Sequence, residues 1–220
     1  MKILAQHKLS LSICLIIIGI FGFIVFLNGN EDLFLFINQK LSPTLGLAAR
    51  FFSLLGESWV MGGLLLLSFK MPFRQTLLVG FTWLSGAIHS WIFKLWLCKG
   101  WPRPFEFYSQ KGIVLNLVDG VKLHHWNTFP SGHTLTAFSI VFLIRALYPK
   151  LPSQYTYLAI LLAIFCGMSR IILVQHWPMD VLGGMVLGFS AALSTQWLHN
   201  RFLPETAFSK SLISMLKRES

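Results

Sequence analysis

The run from Leu11 to Asn28, LSICLIIIGIFGFIVFLN, carries no charged side chain. As a helix it is long enough to cross a hydrocarbon layer about 30 Å thick. Lipid offers backbone N–H and C=O groups no partner, so such a run can only be a helix that satisfies its own backbone. Five further stretches read the same way: Ser58 to Phe69 extended back through Arg50–Gly56, Thr76 to Trp91, Thr134 to Leu147, Tyr155 to Met168, and Val181 to Leu198. The expectation is an all-α, polytopic membrane helix bundle with about six transmembrane helices, forming a single domain over residues 1–220. A composition that is 55% hydrophobic and only 12% charged excludes an ordinary water-soluble domain. Lys2 and Lys8 give the first run the basic lead of a signal peptide. Its apolar stretch is longer than a signal h-region, however, and no small-residue cleavage site follows, so it reads as a retained helix.

Basic residues then orient the bundle. Lys2 and Lys8 precede the first span, Lys70 and Arg74 separate the second from the third, Arg145 and Lys150 separate the fourth from the fifth, and Arg201, Lys210, Lys217 and Arg218 follow the sixth. Six crossings put all four clusters, and both termini, on one side, which the positive-inside rule makes the cytoplasm. In a bacterial cytoplasmic (inner) membrane the other face is periplasmic. The net charge of +10 is thereby an orientation signal and an attraction to anionic lipid heads, and no nucleic-acid partner is needed to explain it. Cys14, Cys98 and Cys166 lie in or beside different spans, with neither metal-site spacing nor a disulfide framework. On the opposite side remain residues 29–56, which read as an interfacial helix or a plain connector, the long loop 94–130, and the short link 170–178.

Three clusters fall on that opposite face: Lys94 to Pro104, Phe129-Pro130-Ser131-Gly132-His133, and Gly167 to Asp180 with Ser169, Arg170 and His176. Ionisable residues at membrane depth are costly and mark function. Guanidinium groups match phosphate oxygens in bidentate geometry, so Arg103 and Arg170 read as phosphate clamps, with Lys94 or Lys99 adding a point charge. Ser131-Gly132 at the head of a helix offers backbone N–H groups and a hydroxyl at its positive end, where phosphate binds readily, and Gly132 allows close approach. Pro178 suits the first turn of the last span, which puts Asp180 inside that turn, from where its carboxylate can reach back to His176 and fix its tautomer. Arg170 and His176, six residues apart, require the link between the last two spans to unwind if they are to face one point.

The chain resembles the type-2 phosphatidic acid phosphatase superfamily, the integral-membrane lipid phosphate phosphatases that share a core with vanadium haloperoxidases and glucose 6-phosphatase. Their signature is Lys-x6-Arg-Pro, Pro-Ser-Gly-His, and Ser-Arg-x5-His-x3-Asp. Pro130-Ser131-Gly132-His133 matches the second part, and Ser169-Arg170, His176 and Asp180 match the third with its spacing. The first departs: eight residues separate Lys94 from Arg103, and three separate Lys99 from it. Lys94 with a two-residue insertion is the preferred equivalent. The motifs cover roughly residues 94–184. The resemblance implies that His176 is the nucleophile that takes the phosphoryl group, held by Asp180, and that His133 protonates the leaving oxygen and then activates water. Lys94, Arg103, Ser131, Gly132 and Arg170 would hold the phosphoryl oxygens. It implies no metal and no other cofactor, and a single carboxylate among Arg and Lys is in any case a poor cation site.

The expected function is metal-independent hydrolysis of a lipid phosphomonoester or pyrophosphate, such as undecaprenyl diphosphate, phosphatidylglycerol phosphate, phosphatidic acid or a lipid A phosphate. The alternatives are a lipid phosphotransferase, or a membrane protein that binds or transports phospholipid without chemistry. A vanadate-dependent oxidase fits least, since related haloperoxidases are soluble. His89 reads as a buried, hydrogen-bonded histidine, His124 and His125 as wet loop residues, Glu106 and Asp119 as loop charges, and Gly184/Gly188 as a close-packing feature.

Overall fold

Backbone that crosses lipid must close its hydrogen bonds within each segment. Accordingly, in the computed structural model, which describes residues 2–203, 210 and 211 (side chains from residue 11), no strand forms among the described residues. The helices are α1 (Lys2–Asn28), α2 (Asn30–Gln39), α3 (Pro43–Ser53) running into a 3-10 turn (Leu54–Gly56), α4 (Ser58–Ser68), and α5 (Phe73–Ile92) continuing as a π turn (Phe93–Leu97). Then follow α6 (Pro104–Gln110), α7 (Gly132–Leu147), α8 (Ser153–Ile172) and α9 (Pro178–Phe202). The all-α membrane bundle is as expected. Four helices, α1, α5 with its π turn, α8 and α9, are long and apolar enough to cross a membrane. The expected second span is a pair, α3 and α4, bent by 44° at Glu57. It begins at Pro43, so only α2 of the 29–56 connector remains outside it. The expected fourth span, α7, has 16 residues and is shorter than a full crossing.

Local chemistry sets several of these boundaries. Ser42 caps α3, accepting a hydrogen bond from the Leu45 N–H at 3.2 Å, and Pro43 takes the first helical position, where a missing donor costs nothing. Ser131 caps α7 in the same way, and Pro104 and Pro178 open α6 and α9.

The most extensive pairing is between α7 and α9. It depends on small residues: a Cβ at Gly188 would stand 2.3 Å from the Leu135 carbonyl oxygen, and one at Gly184 would stand 2.6 Å from that of Ser131. Without a hydrophobic driving force between helices in lipid, such backbone contact is what holds them. The core around it joins Phe138 and Phe142 of α7, Ile160 and Ala163 of α8, and Val181 and Met185 of α9. By contrast only 11% of the apolar stretch of α1 is buried, and Phe23 and Phe26 point outward, as expected of a helix facing lipid on most sides.

The polar ends separate as the charge pattern requires. Arg74 at the start of α5 donates to the Leu203 carbonyl and the Asn200 side chain (both 2.9 Å), and the Phe73 N–H donates to the Lys210 carbonyl, so the Lys70/Arg74 and Arg201/Lys210 clusters share one end. Tyr148, in the link holding Lys150, reaches Met71 at that same end. Lys217, Arg218, both chain termini and the side chains of Lys2 and Lys8 lie outside the described residues.

Replacing Gly188 with Ala should cost about 1–3 kcal/mol by overpacking, read as a lower Tm in detergent. Gly19→Ala, where a Cβ meets nothing within 4 Å, should be neutral or stabilising by up to about 1 kcal/mol.

Candidate active site

Two helix starts are bound side by side. The Ser131 N–H, at the head of α7, donates to the carbonyl of Asp180 in the first turn of α9 at 3.0 Å. The end of α8 is brought to the same place by residues 173–177, which do leave the helix. The N–H groups of Gln175 and His176 both bond to the Arg170 carbonyl (2.9 and 3.1 Å), and β-branched Val174 takes the rare left-handed conformation with φ 58°. This reversal turns His176 toward Arg103, a meeting that a continuous helix would forbid.

His176 and Asp180 are buried together. Asp180 Oδ2 lies 3.2 Å from His176 Nδ1, accepts the Trp177 N–H at 2.8 Å, and accepts the Thr128 hydroxyl. A carboxylate facing Nδ1 selects the tautomer with its proton there, which leaves a lone pair on Nε2. On that side stands Arg103, whose Nη1 is 3.4 Å from Nε2 and is itself held by the Gln175 carbonyl (2.7 Å), while its Nε donates to the Trp126 carbonyl at 3.1 Å. Burial first, and then the cations Arg103, Arg170 and Lys94, hold the His176 pKa well below 6.5. The imidazole is therefore neutral at physiological pH and free to act as a nucleophile.

The anion seat takes shape beside it. Ser131 is wholly buried and its N–H is committed to Asp180, which corrects the expectation that it is open to a ligand. Its hydroxyl oxygen accepts from Thr134, leaving the Ser131 O–H and the N–H groups of Gly132 and His133, which have no partner in the first helical turn. A Cβ added to Gly132 would stand 3.8 Å from Lys94 Nζ and 3.9 Å from Ser90 Oγ, so glycine keeps that space clear. Lys94 is half-buried in the cleft, and Lys99 is exposed. A π turn holds one residue more than an α turn, and the one at Phe93–Leu97, closed by the Cys98 N–H to the Phe93 carbonyl at 2.7 Å, takes up part of the extra spacing after Lys94. Arg170 is buried, with one guanidinium arm on the Ser53 hydroxyl and its Nε without a partner among the described residues. Lys94, Arg103 and Arg170 act on one another as neighbouring cations. Three positive groups held out of water repel one another, and a bound anion relieves that repulsion.

A cleft of about 520 Å³ begins at this seat, where Glu57, Lys94, Gly132 and His133 line it, and continues between α4, α5 and α7 past Met61 and Trp83. Four residues escaped the sequence reading: Thr128 on Asp180, Gln175 with Arg103 on its backbone carbonyl, Ser53 on Arg170, and Glu57, whose Oε1 is 3.1 Å from His133 Nε2. Glu57 had a visible signal, being the only acidic residue between Asp32 and Glu106 and lying within apolar sequence. Thr128, Gln175 and Ser53 had none. His89 bonds the Ser85 carbonyl at 2.7 Å, the hydrogen bond expected, but it is half-buried rather than buried and lines another groove. His125 pairs with Glu106, and the Asp119 carbonyl receives Arg50.

Comparison with known proteins follows this geometry. The profile of the PAP2 superfamily matches residues 75–203. The chain is 36% identical over 92 residues to the bacitracin transport permease protein BcrC of Bacillus licheniformis, covering 42% of this chain and 41% of that protein. It is 36% identical over 72 residues to the lipid A 1-phosphatase of Porphyromonas gingivalis (33% and 16%). Identity is 37% over 78 residues to the putative undecaprenyl-diphosphatase YbjG of Escherichia coli (34% and 37%). The matched stretch thus spans less than half the length of each of these relatives. Among solved structures, Aquifex aeolicus LpxE superposes with a TM-score of 0.63 at 24% identity, covering 76% of this chain and 94% of that one. A PAP2-type phosphatidylglycerolphosphate phosphatase from Bacillus subtilis gives 0.57 at 18%, covering 88% and 98%. Both share the fold.

Lys94→Ala should weaken binding of an oxyanion probe, orthovanadate or inorganic phosphate, by about tenfold, since each 1.4 kcal/mol is a factor of ten. Lys99→Ala should leave it unchanged, and calorimetry on the detergent-solubilised protein decides between them.

Proposed function

The chain belongs to the PAP2 superfamily, and from that membership, together with a neutral buried histidine set among cations, we propose that it hydrolyses a phosphomonoester or pyrophosphate carried on a membrane lipid. The observation that carries this reading is the His176–Asp180 pair, with Nδ1 on the carboxylate at 3.2 Å and Nε2 turned to the guanidinium of Arg103. In this reading the Nε2 lone pair attacks phosphorus and forms a phosphohistidine. His133 gives its proton to the departing lipid oxygen, then takes one from the water that cleaves the P–N bond. Lys94, Arg103 and Arg170, with the Ser131 hydroxyl and the N–H groups at the head of α7, hold the non-bridging oxygens and stabilise the charge that builds on them. Asp180 keeps His176 in the correct tautomer. No step needs a metal ion.

Position supports the substrate class. The seat lies at helix ends in an integral membrane protein, and the cleft that leaves it between α4, α5 and α7 can take the first part of a lipid tail while the rest stays in the bilayer. Undecaprenyl diphosphate, phosphatidylglycerol phosphate, phosphatidic acid and lipid A phosphates all satisfy these requirements, and the relatives named for lipid A and undecaprenyl diphosphate lie within the same class. The basic clusters at the opposite end support a site on the periplasmic side of a bacterial inner membrane.

The detergent-purified protein should release inorganic phosphate from at least one of these lipids with chelator present, and His176→Ala should lower kcat at least about a thousandfold. A folded His176→Ala protein with parental turnover, or activity abolished by chelator, would overturn the mechanism. Because the His176 pKa is pushed down from 6.5, the imidazole stays unprotonated as pH falls through 6.5. The acid limb of kcat/KM that belongs to it should therefore lie below that pH, in a profile taken from pH 4 to 9.

A further inference from the structure

We propose that Glu57 is a positioning residue for His133: its carboxylate orients the imidazole and favours its protonated form against the burial and the cations that oppose it, so that the site contains two carboxylate–imidazole pairs. The proposal rests on the phosphatase reading above and adds to it a residue outside the family motifs.

Four observations converge on it. Glu57 Oε1 stands 3.1 Å from His133 Nε2, within ion-pair distance although off the line of an N–H bond, and that nitrogen is sealed from solvent with no other partner among the described residues. The turn carrying Glu57 is fixed against the histidine. A Cβ at Gly56 would stand 2.6 Å from both the Cβ and the carbonyl oxygen of His133 and 2.7 Å from Cys166 Sγ, so only glycine lets the break between α3 and α4 press on the head of α7. A half-exposed carboxylate at the break of an otherwise apolar, bent span marks function by default. Finally, the groups around His133 are mostly cationic. Arg170 of α8 and Lys94 of the π turn face it, His176 stands close by, and the thiol of Cys166 lies 3.8 Å from its carbonyl. Asp180 of α9 is already committed to His176, Trp177 and Thr128. Glu57 is the carboxylate left to favour the imidazolium.

With Nε2 on Glu57, the other ring nitrogen, Nδ1, serves the reaction. As the P–O bond to the lipid breaks, the Nδ1 proton passes to the leaving oxygen. In the second half-reaction Nδ1 takes a proton from water while the water oxygen bonds to phosphorus and the P–N bond to His176 breaks. Glu57 neither gains nor loses a proton. It stabilises the imidazolium at the start and end of the cycle, and its half-exposed side chain (43%) stays at the mouth of the cleft without contacting the reacting atoms.

The test compares the full chain with Glu57→Gln, Glu57→Asp and His133→Ala on phosphatidic acid and on a long-chain nitrophenyl phosphate, whose leaving group departs without protonation. Glu57→Gln should lose at least about tenfold in the single-turnover rate of leaving-group release, the step that forms the phosphohistidine, on phosphatidic acid with KM within about twofold, and less than about threefold in that step on the nitrophenyl ester. The alkaline limb of its kcat profile should move about one pH unit lower as the stabilising charge is lost. Glu57→Asp should recover part of the rate, and His133→Ala should show the same dependence on leaving group. Equal losses on both substrates mark a structural defect and overturn the proposal, as do an unmoved alkaline limb or a loss seen only in KM. If the parent chain cleaves neither substrate, the phosphatase reading itself falls. If the parent is active and Glu57→Gln matches it, only the role of Glu57 falls.

Discussion

The hydrogen bond from the Ser131 N–H to the Asp180 carbonyl, 3.0 Å long, ties the start of α7 to the start of α9. Most of the site follows from it. Each helix start carries partial positive charge from its unpaired N–H groups, and the two are held in contact instead of being spread across the membrane surface. The glycines at 184 and 188 make that contact sterically possible by letting α9 lie against the backbone of α7. A side chain there would part the two helices and, with them, His176 from the head of α7.

The electrostatics of the site are lopsided. Lys94, Arg103 and Arg170 share a largely buried volume in which Asp180 and Glu57 supply the negative charge. Asp180 concentrates three partners on one oxygen, so its position is fixed by a backbone N–H, a hydroxyl and an imidazole together. Uncompensated cations out of water carry a desolvation cost that a phosphoryl group can offset. Burial, and after it the same crowding, keeps His176 neutral. The features that make the site costly to assemble are therefore the ones that ready it for an anion.

Much of this was legible in the residues. Runs without charge announced the helices because a bilayer permits nothing else, and the glycine pair announced close packing of the last span without naming α7 as its partner. Motif spacing brought Arg170, His176 and Asp180 into one neighbourhood, and the structure shows how, through a reversal at Val174. What stayed hidden depends on tertiary placement. Ser53 and Thr128 are ordinary hydroxyl residues whose importance comes only from what faces them. The bend at Glu57 lay beneath an apolar pattern that read as one span, and the commitment of the Ser131 N–H to α9 involves no side chain that a sequence could show. The lysine spacing was legible as an irregularity, and its physical form, a π turn, was not.

The brevity of α7 has a consequence for the membrane around it. Sixteen residues at about 1.5 Å each rise about 24 Å, some 6 Å less than a hydrocarbon core of about 30 Å. A helix of that rise cannot have both ends level with the two headgroup layers of an undeformed bilayer. Either a lipid headgroup sinks to reach it or the bilayer dimples, and hydrophobic mismatch sets the cost of that deformation. Under the proposed reading, membrane thickness then enters substrate capture directly: a thinner or more deformable leaflet would deliver phosphate to the seat at less elastic cost than a stiff, thick one.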